Sequence, residues 1–66
     1  MSHQTHENVF IHPTAEVSKH AMIGAGTKIW NNAQIREQST IGSQCIISKD
    51  VYIDQGVKIG NNVKIQ

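Results

Sequence analysis

From Ile11 onward an aliphatic residue returns at every sixth position: Ile11, Val17, Ile23, Ile29, Ile35, Ile41, Ile47, Ile53, Ile59 and Ile65. Four places after each of these comes a small or β-branched residue: Ala15, Ala21, Thr27, Ala33, Ser39, Cys45, Val51, Val57 and Val63. The two series take thirteen of the fifteen Ile and Val residues and leave only Val9 and Ile46 outside. The remaining places in each hexad are mostly Gly, Asn, Gln, Ser, Asp, Lys and His. Residues 11–66 therefore read as one repeat array, preceded by a leader or cap over residues 1–10.

A period of six does not fit the 3.6-residue turn of an α-helix, and Ile/Val pairs punctuated by Gly, Asn and Asp disfavour helix further. A bulky inward residue followed four places later by a small inward one suits a short strand and a turn. Three such hexads close an 18-residue triangular coil, and successive coils stack through parallel backbone ladders. The expected fold is all-β, a parallel β-helix of about three coils, 11–28, 29–46 and 47–64. Gly24, Gly42 and Gly60 recur at one corner, eighteen residues apart, where glycine suits a backbone of positive φ. Periodicity leaves the hand of the helix open, and the general preference of parallel crossovers is right-handed.

Stacking at this spacing sets Arg36 over Asp54 and Lys19 over Glu37 as surface charge pairs. It leaves Met22, Trp30, Ile46 and Tyr52 as outward apolar groups. A core built from two inward series has no use for an outward tryptophan, so Trp30 is read as an interface residue. The later coil carries valine in all three small inward columns, and the array stops at Ile65–Gln66 on an open strand edge without a polar cap. Solenoids need covered ends, so the chain is expected to be the N-terminal part of a longer solenoid, or to be covered there by another chain. Val9 and Phe10 are expected to fold over the first coil.

Composition narrows the function. The 66 residues allow one small domain, and a net charge of +1 without a Lys/Arg run excludes a nucleic-acid footprint. No apolar stretch is long enough to span a membrane, and the opening MSHQTHENVF lacks a signal core, so a cytoplasmic location is expected. Cys45, the single cysteine, falls in the inward series and reads as a packed small hydrophobe. His3 and His6 fall in the leader. His12 and His20 point outward on different sides of one coil, so no metal site is expected.

The hexad pattern resembles the hexapeptide-repeat acyltransferase family, which implies a left-handed parallel β-helix over residues 11–66. The stretch from Ile23 through IGAGTKIW to Trp30, with Gly60 and VKIQ at Val63–Gln66, is similar to the start of bacterial sugar-nucleotide N-acetyltransferases of the 3-amino-sugar type. One departure is Asn31, where those enzymes frequently have His after the Trp. The resemblance implies transfer of an acetyl group from acetyl-CoA to the amine of a nucleotide-linked amino sugar, for bacterial surface polysaccharide synthesis. It also implies a homotrimer with active sites between adjacent subunits and acetyl-CoA-binding coils that continue past Gln66. On that reading Trp30, Asn31, Asn32, Arg36 and Lys49 make substrate or inter-subunit contacts, and no catalytic base is assigned. The competing expectation is a non-catalytic β-helical oligomerisation or scaffold module.

Overall fold

The computed structural model describes residues 4–5 and 8–66; His3 and His6 of the leader lie outside the described residues. Every element is a two-residue strand: β1 (Gln4–Thr5), β2 (Phe10–Ile11), β3 (Glu16–Val17), β4 (Met22–Ile23), β5 (Lys28–Ile29), β6 (Gln34–Ile35), β7 (Thr40–Ile41), β8 (Ile46–Ile47), β9 (Tyr52–Ile53), β10 (Lys58–Ile59) and β11 (Lys64–Ile65). Every third strand joins the same parallel sheet. Face I is β1-β4-β7-β10, face II is β2-β5-β8-β11 and face III is β3-β6-β9. The register is the eighteen-residue spacing of the repeat, with Ile11 beside Ile29, Ile29 beside Ile47, Val17 beside Ile35 and Ile23 beside Ile41. The all-β parallel helix of about three coils is thus the observed fold. The regular pairing also reaches back ahead of Ile11, because Gln4 and Thr5 lie beside Met22 and Ile23.

The two inward series build the core. Ala21, Ile23, Ile29, Ala33, Ile35, Ile41, Cys45, Ile47 and Ile53 are buried together, with Val9, Ala15, Val17 and the terminal valines packed around them. From β2 onward the first residue of each strand points out and the second points in, because successive side chains on a strand take opposite sides. Thr27 and Ser39 bring hydroxyls into this apolar column, and both are satisfied. Thr27 Oγ1 donates to the Gly42 carbonyl at 2.7 Å and accepts the Cys45 N–H at 3.1 Å. Ser39 Oγ donates to the Arg36 carbonyl. The Cys45 thiol donates to the Gly60 carbonyl at 3.0 Å, so it is a packed, bonded side chain as its place in the inward series suggested.

The corners need a closer account, because they hold the coils in register. At every described corner except those of Thr14 and His20, a residue in the left-handed region closes the turn: Asn8, Asn32, Gln38, Gln44, Asp50 and Asn62 with φ between 59° and 62°, and Gly26 and Gly56 with φ 76°. That conformation points the residue's N–H along the stack, where it meets a carbonyl of the coil above: Gln44 to Ala25 (2.9 Å), Asp50 to Asn31 (3.0 Å), Gly56 to Glu37 (3.1 Å) and Asn62 to Ser43 (2.8 Å). Asn, Asp and Gly enter this region readily, whereas Gln38 and Gln44 adopt it under the demand of the register.

Positive φ therefore falls on Gly26 and Gly56, not on the Gly24–Gly42–Gly60 column where sequence placed it. That column is glycine for a different reason. A Cβ on Gly24 would come within 2.5 Å of the Gly42 carbonyl carbon, and one on Gly42 would meet the Gly60 carbonyl oxygen at 2.6 Å. The chain crosses itself too closely there for any side chain. A Cβ on Gly60 would meet nothing within 4 Å.

This difference is testable. Gly24→Ala and Gly42→Ala are each expected to cost about 1–3 kcal/mol in urea denaturation. Gly60→Ala should stay within about 0.5 kcal/mol of wild type. Equal losses at all three positions would mean that close approach is not what keeps the column glycine.

Candidate functional site

Leaving face II, each coil turns through the same corner before entering face III. The ladder sets the layers of this II–III corner: His12 N–H donates to the Ile29 carbonyl at 2.8 Å and Trp30 N–H to the Ile47 carbonyl at 2.9 Å. Trp30 thus lies below His12 and above Ser48, Asn31 lies above Lys49, and Asn32 lies between Thr14 and Asp50. Four of the five residues singled out from sequence, Trp30, Asn31, Asn32 and Lys49, share this corner.

Two details shape it. Thr14 does not adopt the left-handed conformation, and Asn32 N–H finds the Thr14 hydroxyl at 3.0 Å where Asp50 below uses the Asn31 carbonyl. Thr14 is itself held by His12: its backbone N–H donates to His12 Nδ1 at 3.1 Å, and its Oγ1 lies 3.0 Å from the same nitrogen. Accepting an N–H at Nδ1 places the neutral ring's proton on Nε2. The second detail is aromatic. Phe10 in β2 stacks at a tilt on Trp30, ring centres 5.1 Å apart and planes at 52°, and meets His12 edge-on at 6.4 Å. Phe10 and Trp30 each keep 40% of their surface exposed, so this contact leaves an apolar patch facing solvent.

Phe10 was expected to fold over the first coil beside Val9. Val9 does pack against the core, but Phe10 points outward. The signal for this is present in the repeat: carrying the hexads back one step puts Val9 in the small inward series and Phe10 in the outward place that Lys28 and Ile46 occupy below it.

Arg36 lies elsewhere, at the III–I corner. There the expected charge ladder does not form. Arg36 stands in the layer above Asp54, but its guanidinium reaches sideways to Glu37, with Nε 3.3 Å and Nη2 3.4 Å from the two carboxylate oxygens. This is the one ion pair among the described residues, so Lys19 does not take Glu37. Asp54 instead accepts the Gln55 N–H at 2.7 Å. At a corner the bending chain brings sequence neighbours together, and a planar guanidinium with a two-point partner alongside has no cause to reach down a layer. The Glu37 carboxyl is held below the ordinary carboxylate range, first by its own backbone N–H and then by Arg36. The Arg36 guanidinium is held above its ordinary value, first by its hydrogen bond to Glu37 and then by that carboxylate's charge. Arg36 and Glu37 also border an open groove of about 530 Å³ beside the edge strand β3, with Ile11, Val17 and Ser18 among its walls.

The outward apolar groups Met22 and Tyr52 are exposed on faces I and III, away from the Phe10–Trp30 pair. His12 and His20 sit at different corners, and among the described residues no three His, Cys, Asp or Glu side chains converge as a metal site would require. Among the described residues no helix is long and apolar enough to cross a membrane.

The family model described as bacterial transferase hexapeptide (six repeats) matches residues 2–37, more than half of the chain. The chain belongs to that hexapeptide-repeat family, and its solenoid is the left-handed β-helix of the family. No curated protein and no solved structure matches it significantly.

The lowered carboxyl of Glu37 sets the sign of a pH effect. A folded-state pKa below the unfolded one adds stability above the unfolded pKa, and that stability is lost as pH falls through the folded value. Wild type should melt slightly above Glu37→Gln at neutral pH, and the gap should close as the solution is acidified. A gap that stays constant into acid would show that the carboxylate's charge contributes nothing to the fold.

Proposed function

We propose that the chain acts in acetyl transfer, moving the acetyl group of acetyl-CoA to the amine of a nucleotide-linked amino sugar, with three copies forming the working unit in the cytoplasm. Such a product suits bacterial surface polysaccharide synthesis. The observation that carries this reading is the hexapeptide-repeat β-helix itself, matched to a transferase family, together with the IGAGTKIW and VKIQ segments at its first and last coils.

In the reaction the amine nitrogen attacks the thioester carbonyl, a C–N bond forms and the C–S bond breaks. The coenzyme leaves as its thiol once the ammonium proton has been passed on. Charge gathers on the carbonyl oxygen as the amine attacks and must be met by a donor. The II–III corner offers such groups in one place, the amides of Asn31 and Asn32 and the ammonium of Lys49, beside the flat face of Trp30. Arg36, on the other side of face III, would serve a separate part of a large substrate or a neighbouring copy.

Calorimetric titration of acetyl-CoA into the purified chain, with light scattering on the same sample, tests this reading. A mass near three chains and a saturable heat are expected, with coenzyme thiol released when a nucleotide-linked amino sugar is added. A trimer that gives neither heat nor thiol would overturn the transferase reading in favour of a scaffold module. A monomer without heat would remove the trimer as well.

A further inference from the structure

The trimer reading leaves open which part of the surface meets the next copy, and the three corners are not equivalent. The I–II corner is polar and uncharged among the described residues, with Gly24, Gly42 and Gly60 in column beside Ser43, Gln44, Asn61 and Asn62. The III–I corner is charged and carries the satisfied Arg36–Glu37 pair. The II–III corner alone presents an exposed aromatic pair, Phe10 and Trp30. Exposed aromatics in contact with each other are what the buried centre of an interface is made from.

The faces on either side of that corner differ in charge. Outward from face II come Phe10, Lys28, Ile46 and Lys64, with no acid among them. Outward from face III come Glu16, Gln34 and Tyr52, with no base. Neither Lys28, Lys64 nor Glu16 takes part in an ion pair among the described residues. One face thus offers cations and the other an anion, with the aromatic edge between them.

Resting on the trimer reading, we propose that copies of this chain dock on one another through the II–III corner, with face II of each copy set opposite face III of the next. Three equal sides give a corner of about 60°, half of the 120° sector that each copy occupies around a threefold axis. The other half of each sector is a cleft, with the lysine face of one copy as one wall and the Glu16 face of its neighbour as the other. Lys28 lies twelve residues further along the helix than Glu16, which is two-thirds of a coil or about 3 Å of rise. A lysine side chain spans that offset easily, and the same offset pairs Ile46 with Gln34 and Lys64 with Tyr52. A contact between unlike faces closes into a ring, where a twofold contact would set each face against itself.

Trp30 is the only tryptophan, so its emission reports this corner alone. Sedimentation equilibrium and Trp30 emission are followed together across concentration at low and high salt. The emission is expected to shift to the blue in step with trimer formation, and association to weaken as salt rises. Lys28→Glu should weaken association about tenfold or more at low salt by setting like charges across the cleft, and Glu16→Lys should do the same. The double variant in one chain should regain most of the loss. A trimer whose Trp30 emission never changes, or whose association ignores both charge reversals, would overturn this docking surface while leaving the trimer standing. A chain that stays monomeric at every concentration would remove the trimer and the docking surface together.

Discussion

Equal coil length is the constraint on which the rest of this molecule depends. Each strand is two residues long, too short to hold a sheet by itself, and the stack coheres because every coil meets the next at the same eighteen-residue offset. The offset survives only if every corner turns the chain in the same number of residues. At all described corners but those of Thr14 and His20 a left-handed residue does this, and it also turns an N–H to the coil above. Once the corners are equal, Ile must stack on Ile and a small residue on a small residue. A chain whose corners varied in length would put polar groups into the column and lose both the core and the ladders.

This is why so much of the fold is legible in the sequence. The inward series, the parallel register, the outward tryptophan and the packed cysteine all follow from a period of six read as a period of eighteen. The parts that did not follow have local causes. Gly24, Gly42 and Gly60 look like turn glycines, yet their φ is ordinary. What makes Gly24 and Gly42 glycine is the approach of the coil below, which no single hexad reveals. Conversely, Gln38 and Gln44 carry no sign of the left-handed conformation they adopt. Arg36 was assigned its partner by vertical stacking, a rule that holds along the flat faces and fails at the bend. Phe10 belongs to a hexad whose first member, Thr5, is not aliphatic, so its outward place is hidden at the edge of the repeat.

The candidate site was legible only in part, and again for a physical reason. Periodicity assigns a residue to a layer and a corner, and in that way brings Trp30, Asn31, Asn32 and Lys49 together. It is silent about contacts between neighbouring layers, such as the Phe10–Trp30 stack and the His12–Thr14–Asn32 chain of hydrogen bonds. The core accounts for the two inward positions of each hexad and leaves four for the surface. Function in such a solenoid has to be written on those four, at corners and outer faces that the fold itself leaves unconstrained.

The uniform offset also has an evolutionary consequence. Gaining or losing one whole coil lengthens or shortens the prism without moving any other residue to a new face. Gaining or losing a single hexad keeps every side chain correctly in or out, yet hands all later residues to the next face. The first kind of change preserves a surface and the second redraws it, though both leave the interior equally well packed. Lineages of such chains can therefore drift in length by full coils while keeping their partners, and acquire new ones by a slip of one third of a turn.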